Sequence, residues 1–197
     1  RVQINPAGDW LAAGQIMPMA SRVGLTGELD LAAVDLALER VRAGDSAVAV
    51  NLAAESAESD AFRRELLRRL QSGAAAGRLA LEVSEHGLLR HFAAVRSLRE
   101  AMAGSGCAFG VEHVGRRFGE ITRLQELGLD YIKVDASFIR GIDANRENRE
   151  FLEGLASIAH GMGAKVIAEG VQSSAELAAL PTLGFDGATG PAVTSQP

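Results

Sequence analysis

The feature that most constrains this chain is a change of apolar period that repeats from end to end. Leu31, Val34, Leu38 and Val41 mark one face of a helix over 30–41, which Gly44 stops. The run Ala47-Val48-Ala49-Val50-Asn51 then reads as a strand. The same exchange recurs: helix 62–70, strand 79–83, helix 92–102, strand 107–111, helix 121–127, strand 131–134, helix 151–162, strand 165–168 and helix 175–180. Strands alternating with helices predict a parallel sheet with right-handed crossovers, either open and doubly wound or closed into a barrel. The ends of the strands decide between the two. In order they finish on Asn51, Glu82, Glu112 with His113, Lys133 with Asp135, and Glu169. An open sheet gathers its site at one switch point, whereas polar groups from many strand ends meet on one face only in a (β/α)8 barrel. The expected fold is therefore α/β, a (β/α)8 TIM-type barrel with its first strand at or upstream of the chain start. No linker or low-complexity stretch interrupts the series, so 1–197 reads as a single domain. Its 197 residues fall short of the roughly 250 typical of such barrels. With the abrupt opening Arg1-Val2-Gln3, this leads us to expect a piece of a longer protein.

Charge and composition narrow the ligands. The net charge of −5, one Trp and one Tyr leave neither a basic stripe nor a stacking platform, so polymeric nucleic acid is excluded as a partner. A small anion remains possible, because a few local Arg and Lys side chains suffice to hold two phosphates. Apolar runs such as 47–50 are far below the ~20 residues a membrane span needs, and no direct membrane contact is expected. The single Cys107 cannot form an internal disulfide or a paired-cysteine zinc site. It reads as a buried structural thiol suited to a reducing compartment. His86 and His160 have no second ligand at metal spacing and read as structural or exposed.

Several segments resemble a known family. Arg1-Val2-Gln3 resembles the Arg-Trp-Gln that follows a Glu-Ala-Leu signature, and Ile16-Met17-Pro18-Met19-Ala20 is similar to Phe-Ile-Pro-Leu-Ala. Val50-Asn51-Leu52-Ala53 resembles Val-Asn-Leu-Ser, and Leu81-Glu82-Val83-Ser84-Glu85 resembles Leu-Glu-Ile-Thr-Glu. Ile132-Lys133-Val134-Asp135-Ala136-Ser137-Phe138 is similar to Leu-Lys-Ile-Asp-Arg-Ser-Phe, and 166–171 matches Val-Ile-Ala-Glu-Gly-Val outright. Six segments in the right order resemble the EAL domain, the barrel that hydrolyses or binds the bacterial second messenger cyclic di-GMP.

For active members the resemblance implies two divalent cations held by the signature Glu, Asn51, Glu82, two adjacent Asp residues and Glu169. Here Glu112-His113-Val114-Gly115-Arg116-Arg117 replaces Asp-Asp-Phe-Gly-Thr-Gly. Glu112 keeps the charge but adds a methylene. His113 removes a charge and offers imidazole where magnesium prefers oxygen. Glu112 and His113 are thus degenerate metal positions, and no metal, catalytic residue or required cofactor is expected. Thr189-Gly190-Pro191 stands where the family has Gln-Gly-Tyr, so that Gln's contact does not carry over.

The ligand-holding half of the site remains: Arg1, Asn51, Glu82, Lys133, Asp135, Glu169 and Gly190. Arg1 is expected to clamp a phosphate. Lys133 either contacts phosphate or neutralises Glu82 and Glu169. Glu169 either accepts a guanine edge or forms a salt bridge to Lys133. The 112–118 string resembles degenerate EAL domains of LapD-type inner-membrane receptors, which bind cyclic di-GMP without cleaving it. The resemblance implies a non-enzymatic cyclic di-GMP receptor domain on the cytoplasmic side of an inner-membrane protein. It would signal occupancy through the receptor's other domains in the control of adhesion and biofilm. The alternatives are an active metal-dependent phosphodiesterase and a ligand-free structural relic that binds a protein partner. Arg116, Arg117 and Phe118 combine residue types enriched at interfaces, and a homodimer through 115–118 is expected. The competing role for Phe118 is to anchor the helix that follows.

Overall fold

The computed structural model describes residues 11–44, 46–71, 75–117 and 120–193. Six parallel strands run in the sequential order β1 to β6: Val48–Asn51, Leu79–Ser84, Ala108–Val114, Tyr131–Val134, Lys165–Ala168 and Gly187–Ala188. A doubly wound sheet reverses its strand order partway across. This one never does, which is the winding of a barrel wall. The segment 1–10, to which the expected first strand belongs, lies outside the described residues.

The strands present apolar side chains to the helices because alternate residues share a face. Val50, Leu81, Phe109, Val111, Ile132, Val134 and Val166 are buried in one cluster with Val34, Leu38 and Val41 of α2 (Thr26–Ala43). Phe62, Leu66 and Leu70 of α3 (Asp60–Leu70) join it, as do Val95 and Leu98 of α5 (Phe92–Ala101). Leu152 and Leu155 of α8 (Arg146–Gly161) complete it.

Three helices escape the periodicity. Helix α1 (Ala13–Arg22) carries Pro18 inside it, a residue that normally argues against a helix. Helices α4 (Glu85–Arg90) and α7 (Ala136–Ile139) are too short to show a period and start directly from strand ends. Ser84 caps α4 through the Gly87 N–H, and Asp135 caps α7 through the Ser137 N–H. The remaining helices are α6 (Ile121–Gln125) and α9 (Ser174–Ala179). Strand β3 runs past the expected end at 111 to Val114, and its register with β4 shifts between Val111 and Val114. That bulge falls on Glu112 and His113.

Candidate functional site

The site is built on the face of the strands turned away from the helices. Register pairs Asn51 with Glu82, Glu82 with Gly110, and Gly110 with Tyr131, so these residues lie side by side across four strands. Gly110 is needed there: a Cβ would sit 2.4 Å from the Tyr131 ring. Without it the ring lies across β3, and its hydroxyl donates to Glu82 Oε1 at 2.6 Å. Lys133 follows two residues later on the same face. Its Nζ lies 2.5 Å from Glu82 Oε1 and 2.7 Å from Oε2. Glu82 is only 2% exposed, and a carboxylate so buried needs such partners. Burial, then the bond to Glu82, pushes the Tyr131 hydroxyl well above its ordinary pKa.

The bulge on β3 turns consecutive side chains to different sides. Among the described residues His113 is the one non-glycine with positive φ, at 57°. Its Nδ1 stands 3.0 Å from Glu169 Oε2 and 3.5 Å from Asp135 Oδ2, and its Nε2 lies 3.6 Å from Glu112 Oε1. The His113 N–H also donates to Glu169 Oε2 at 3.3 Å. Three carboxylates thus surround one imidazole. Burial raises the pKa of Glu112 despite the opposing charge of His113, and Glu82 adds to the rise. A hydrogen bond from Asn51 works the other way. Glu169 is raised for the same first reason, with Glu112 reinforcing burial and His113 opposing it. For Asp135, burial pushes upward, but hydrogen bonds from Ser137 and the Arg116 charge outweigh it and hold the group below its ordinary value.

One further acid, an arginine and a glycine shape the rim. Glu85, buried at the start of α4, accepts from the Gly115 N–H at 3.2 Å and ties the loop after β3 to the end of β2. Arg116 Nη2 reaches Asp135 Oδ1 at 3.5 Å. Gly190 has φ 134° and packs on the Val171 backbone, where a Cβ would lie 2.3 Å from the Val171 nitrogen.

The strand ends open into two recesses. One, of about 620 Å³, is lined by Asn51, Glu82, Glu112 and Lys133, with β1 and α2 forming its wall. The other, of about 560 Å³, is lined by Ser84, Glu85, His86, His113, Arg116, Arg117 and Asp135. The structure therefore gathers Asn51, Glu82, Glu112 and Lys133 in the first recess. His113, Arg116, Arg117 and Asp135 meet in the second, and Glu169 joins them through His113. Gly190 stands beside the backbone that follows Glu169. Arg1 and Phe118 lie outside the described residues. Of the alternatives for these residues, Lys133 is paired with Glu82, and the partner of Glu169 is His113 rather than Lys133. Tyr131 and Glu85 were not anticipated. Tyr131 is the chain's single tyrosine, placed two residues before Lys133 on a predicted strand, and that spacing was the available signal.

Two divalent cations need unengaged carboxylate oxygens facing a common space. Both Glu82 oxygens are taken by Lys133 and Tyr131, and the imidazole of His113 stands among the remaining carboxylates. Among the described residues no group of three or more His, Cys, Asp or Glu is arranged to hold an ion.

A sequentially wound parallel barrel wall, with carboxylates, a lysine and an imidazole converging at the strand ends, defines a TIM-type α/β protein with its polar groups gathered at one mouth. The family model for the EAL domain matches residues 2–197, and the chain belongs to that family. The cyclic di-GMP phosphodiesterase NbdA of Pseudomonas aeruginosa is 33% identical over 134 residues, covering 68% of this chain and 17% of that protein. The Xanthomonas citri FimX EAL domain in complex with c-diGMP superimposes with a TM-score of 0.82 at 22% identity, covering 93% of this chain and 75% of that one. Vibrio cholerae LapD S helix-GGDEF-EAL bound to c-di-GMP gives 0.82 at 21% identity, covering 92% and 45%. The chain spans 20% and 29% of the first curated relatives it matches.

Proposed function

We propose that this domain binds cyclic di-GMP without cleaving it and without a divalent metal. The observation that carries the reading is that the acids are already engaged by protein side chains: Lys133 on Glu82, and the His113 imidazole against Glu169 and Asp135. These side chains occupy carboxylate oxygens that metal-dependent chemistry would leave free for cations. Arg1 and Lys133 would meet phosphate, Glu169 would accept the N1–H and N2–H edge of a guanine, and Gly190 would let the ligand approach the backbone closely. Asn51, Glu82 and Asp135 complete the contact set. The domain would form the cytoplasmic part of an inner-membrane receptor that passes occupancy to its other domains.

Isothermal titration with cyclic di-GMP in EDTA, followed by product analysis in magnesium or manganese, tests this. Heat in EDTA and no linear dinucleotide are expected. Heat that appears only with metal would overturn the reading, as would turnover. The second reading, a metal-dependent phosphodiesterase in which Glu112 substitutes for Asp and His113 stands outside the metal shell, draws on Asn51, Glu82 and Glu169 at the mouth and on the likeness to NbdA. The same product analysis separates the two.

A further inference from the structure

Among the described residues the two recesses at the strand ends share no lining residue. One holds Glu82 and Glu112 together with Lys133 and Arg40. The other is rimmed by His86 from the first turn of α4, His113 from the bulge, and Arg116 and Arg117 from the turn after β3. Its acids are already committed. Glu85 accepts from the Gly115 N–H, and Asp135 accepts from the backbone and hydroxyl of Ser137. Arg116 touches Asp135 only at 3.5 Å with its side chain 67% exposed. Among the described residues the side chains of Arg117 and His86 have no ion pair or hydrogen bond. Two guanidinium forks and two imidazoles lining one open recess are chemistry suited to the non-bridging oxygens of a phosphate.

We infer that Arg116, Arg117 and His86 form a phosphate site that holds one phosphodiester of the bound cyclic dinucleotide. This rests on the ligand proposed above and goes beyond it. It places one of the ligand's two phosphates at the turn after β3 and leaves the other to Arg1 and Lys133. Neither arginine can lose its proton at any working pH, so the contact is present whenever the ligand is.

The test is titration of the wild type, Arg116→Ala/Arg117→Ala and Arg116→Lys/Arg117→Lys with cyclic di-GMP in EDTA over a range of sodium chloride. The double alanine variant is expected to bind about 10- to 100-fold more weakly and with a shallower salt dependence, and lysine to restore part of the loss. Equal affinity and an unchanged salt slope in the double alanine variant would overturn the assignment. A second arm uses inorganic pyrophosphate, read by the nitrogen resonances of His86 and His113. Shifts in the wild type that vanish in the double alanine variant support the recess as a phosphate site. If these shifts occur while cyclic di-GMP fails to bind, the ligand reading falls and the phosphate site stands. If pyrophosphate moves neither histidine, the site itself is disproved.

Discussion

At the residue scale the mouth is organised by substitutions of a single side chain. Gly110 exists to let Tyr131 lie across β3, and Tyr131 exists there to engage Glu82. Tyr131→Phe leaves Glu82 buried with Lys133 alone, and should lower stability by about 1–3 kcal/mol. Gly110→Ala drives a methyl into the ring and should cost at least a similar ~1–3 kcal/mol. Urea denaturation of both variants checks the pair, and a Gly110→Ala protein as stable as wild type would refute the packing argument. Cys107 is a contrasting case in which residue chemistry was legible from sequence. Burial pushes its thiol pKa up to about 12. It should react with a thiol reagent at pH 8 only on unfolding, and rapid labelling of the native protein would contradict that.

At the element scale, Asp30 fastens α2 to the 3-10 turn Ala54–Glu58 that follows β1. Its Oδ2 accepts from the Ser56 hydroxyl at 2.6 Å and from the Ala53 N–H at 3.0 Å, and the residue is 4% exposed. Burial outweighs those bonds and raises its pKa from 3.8 to about 6. Below about pH 4 both folded and unfolded chains hold the proton. Between there and pH 6 the unfolded chain releases it while the folded protein keeps it, so stability falls as pH rises through this window. The loss attributable to Asp30 is about 3 kcal/mol. Asp30→Asn should remove that slope, read as the difference between variant and wild-type denaturation midpoints from pH 4 to 7. Parallel pH profiles would disprove the linkage. The same scale shows where periodicity failed: α4 and α7 are capped helices of six and four residues launched by Ser84 and Asp135, and helices that short have no apolar period to read.

At the scale of the whole molecule, the turn that follows β3 brings Arg116 and Arg117 to the rim of the second recess. Phosphate bound at Arg116 and Arg117 would neutralise two charges that otherwise repel a second copy. Association of two domains through this loop is therefore expected to strengthen with cyclic di-GMP. Light scattering with and without the ligand checks it. A monomer in both conditions, or a ligand-dependent dimer indifferent to Phe118→Glu, would disprove the interface.

Local periodicity was enough to place the strands and most long helices, because a strand or a helix of three turns announces itself through neighbours two, three and four positions away. It also marked Asn51, Glu82, Glu112, His113, Lys133, Asp135 and Glu169 as strand-end residues sharing one mouth. What lay beyond local pattern was which of these charges meet. Lys133 pairs with Glu82 because the registers of β2, β3 and β4 stack Glu82, Gly110 and Tyr131 on one level, with Lys133 on the same face of β4. His113 pairs with Glu169 because a bulge shifts the register of β3 against β4 by the end of the strand. Both depend on how separate strands align, and partner choice between residues dozens of positions apart is settled only when the barrel wall is assembled.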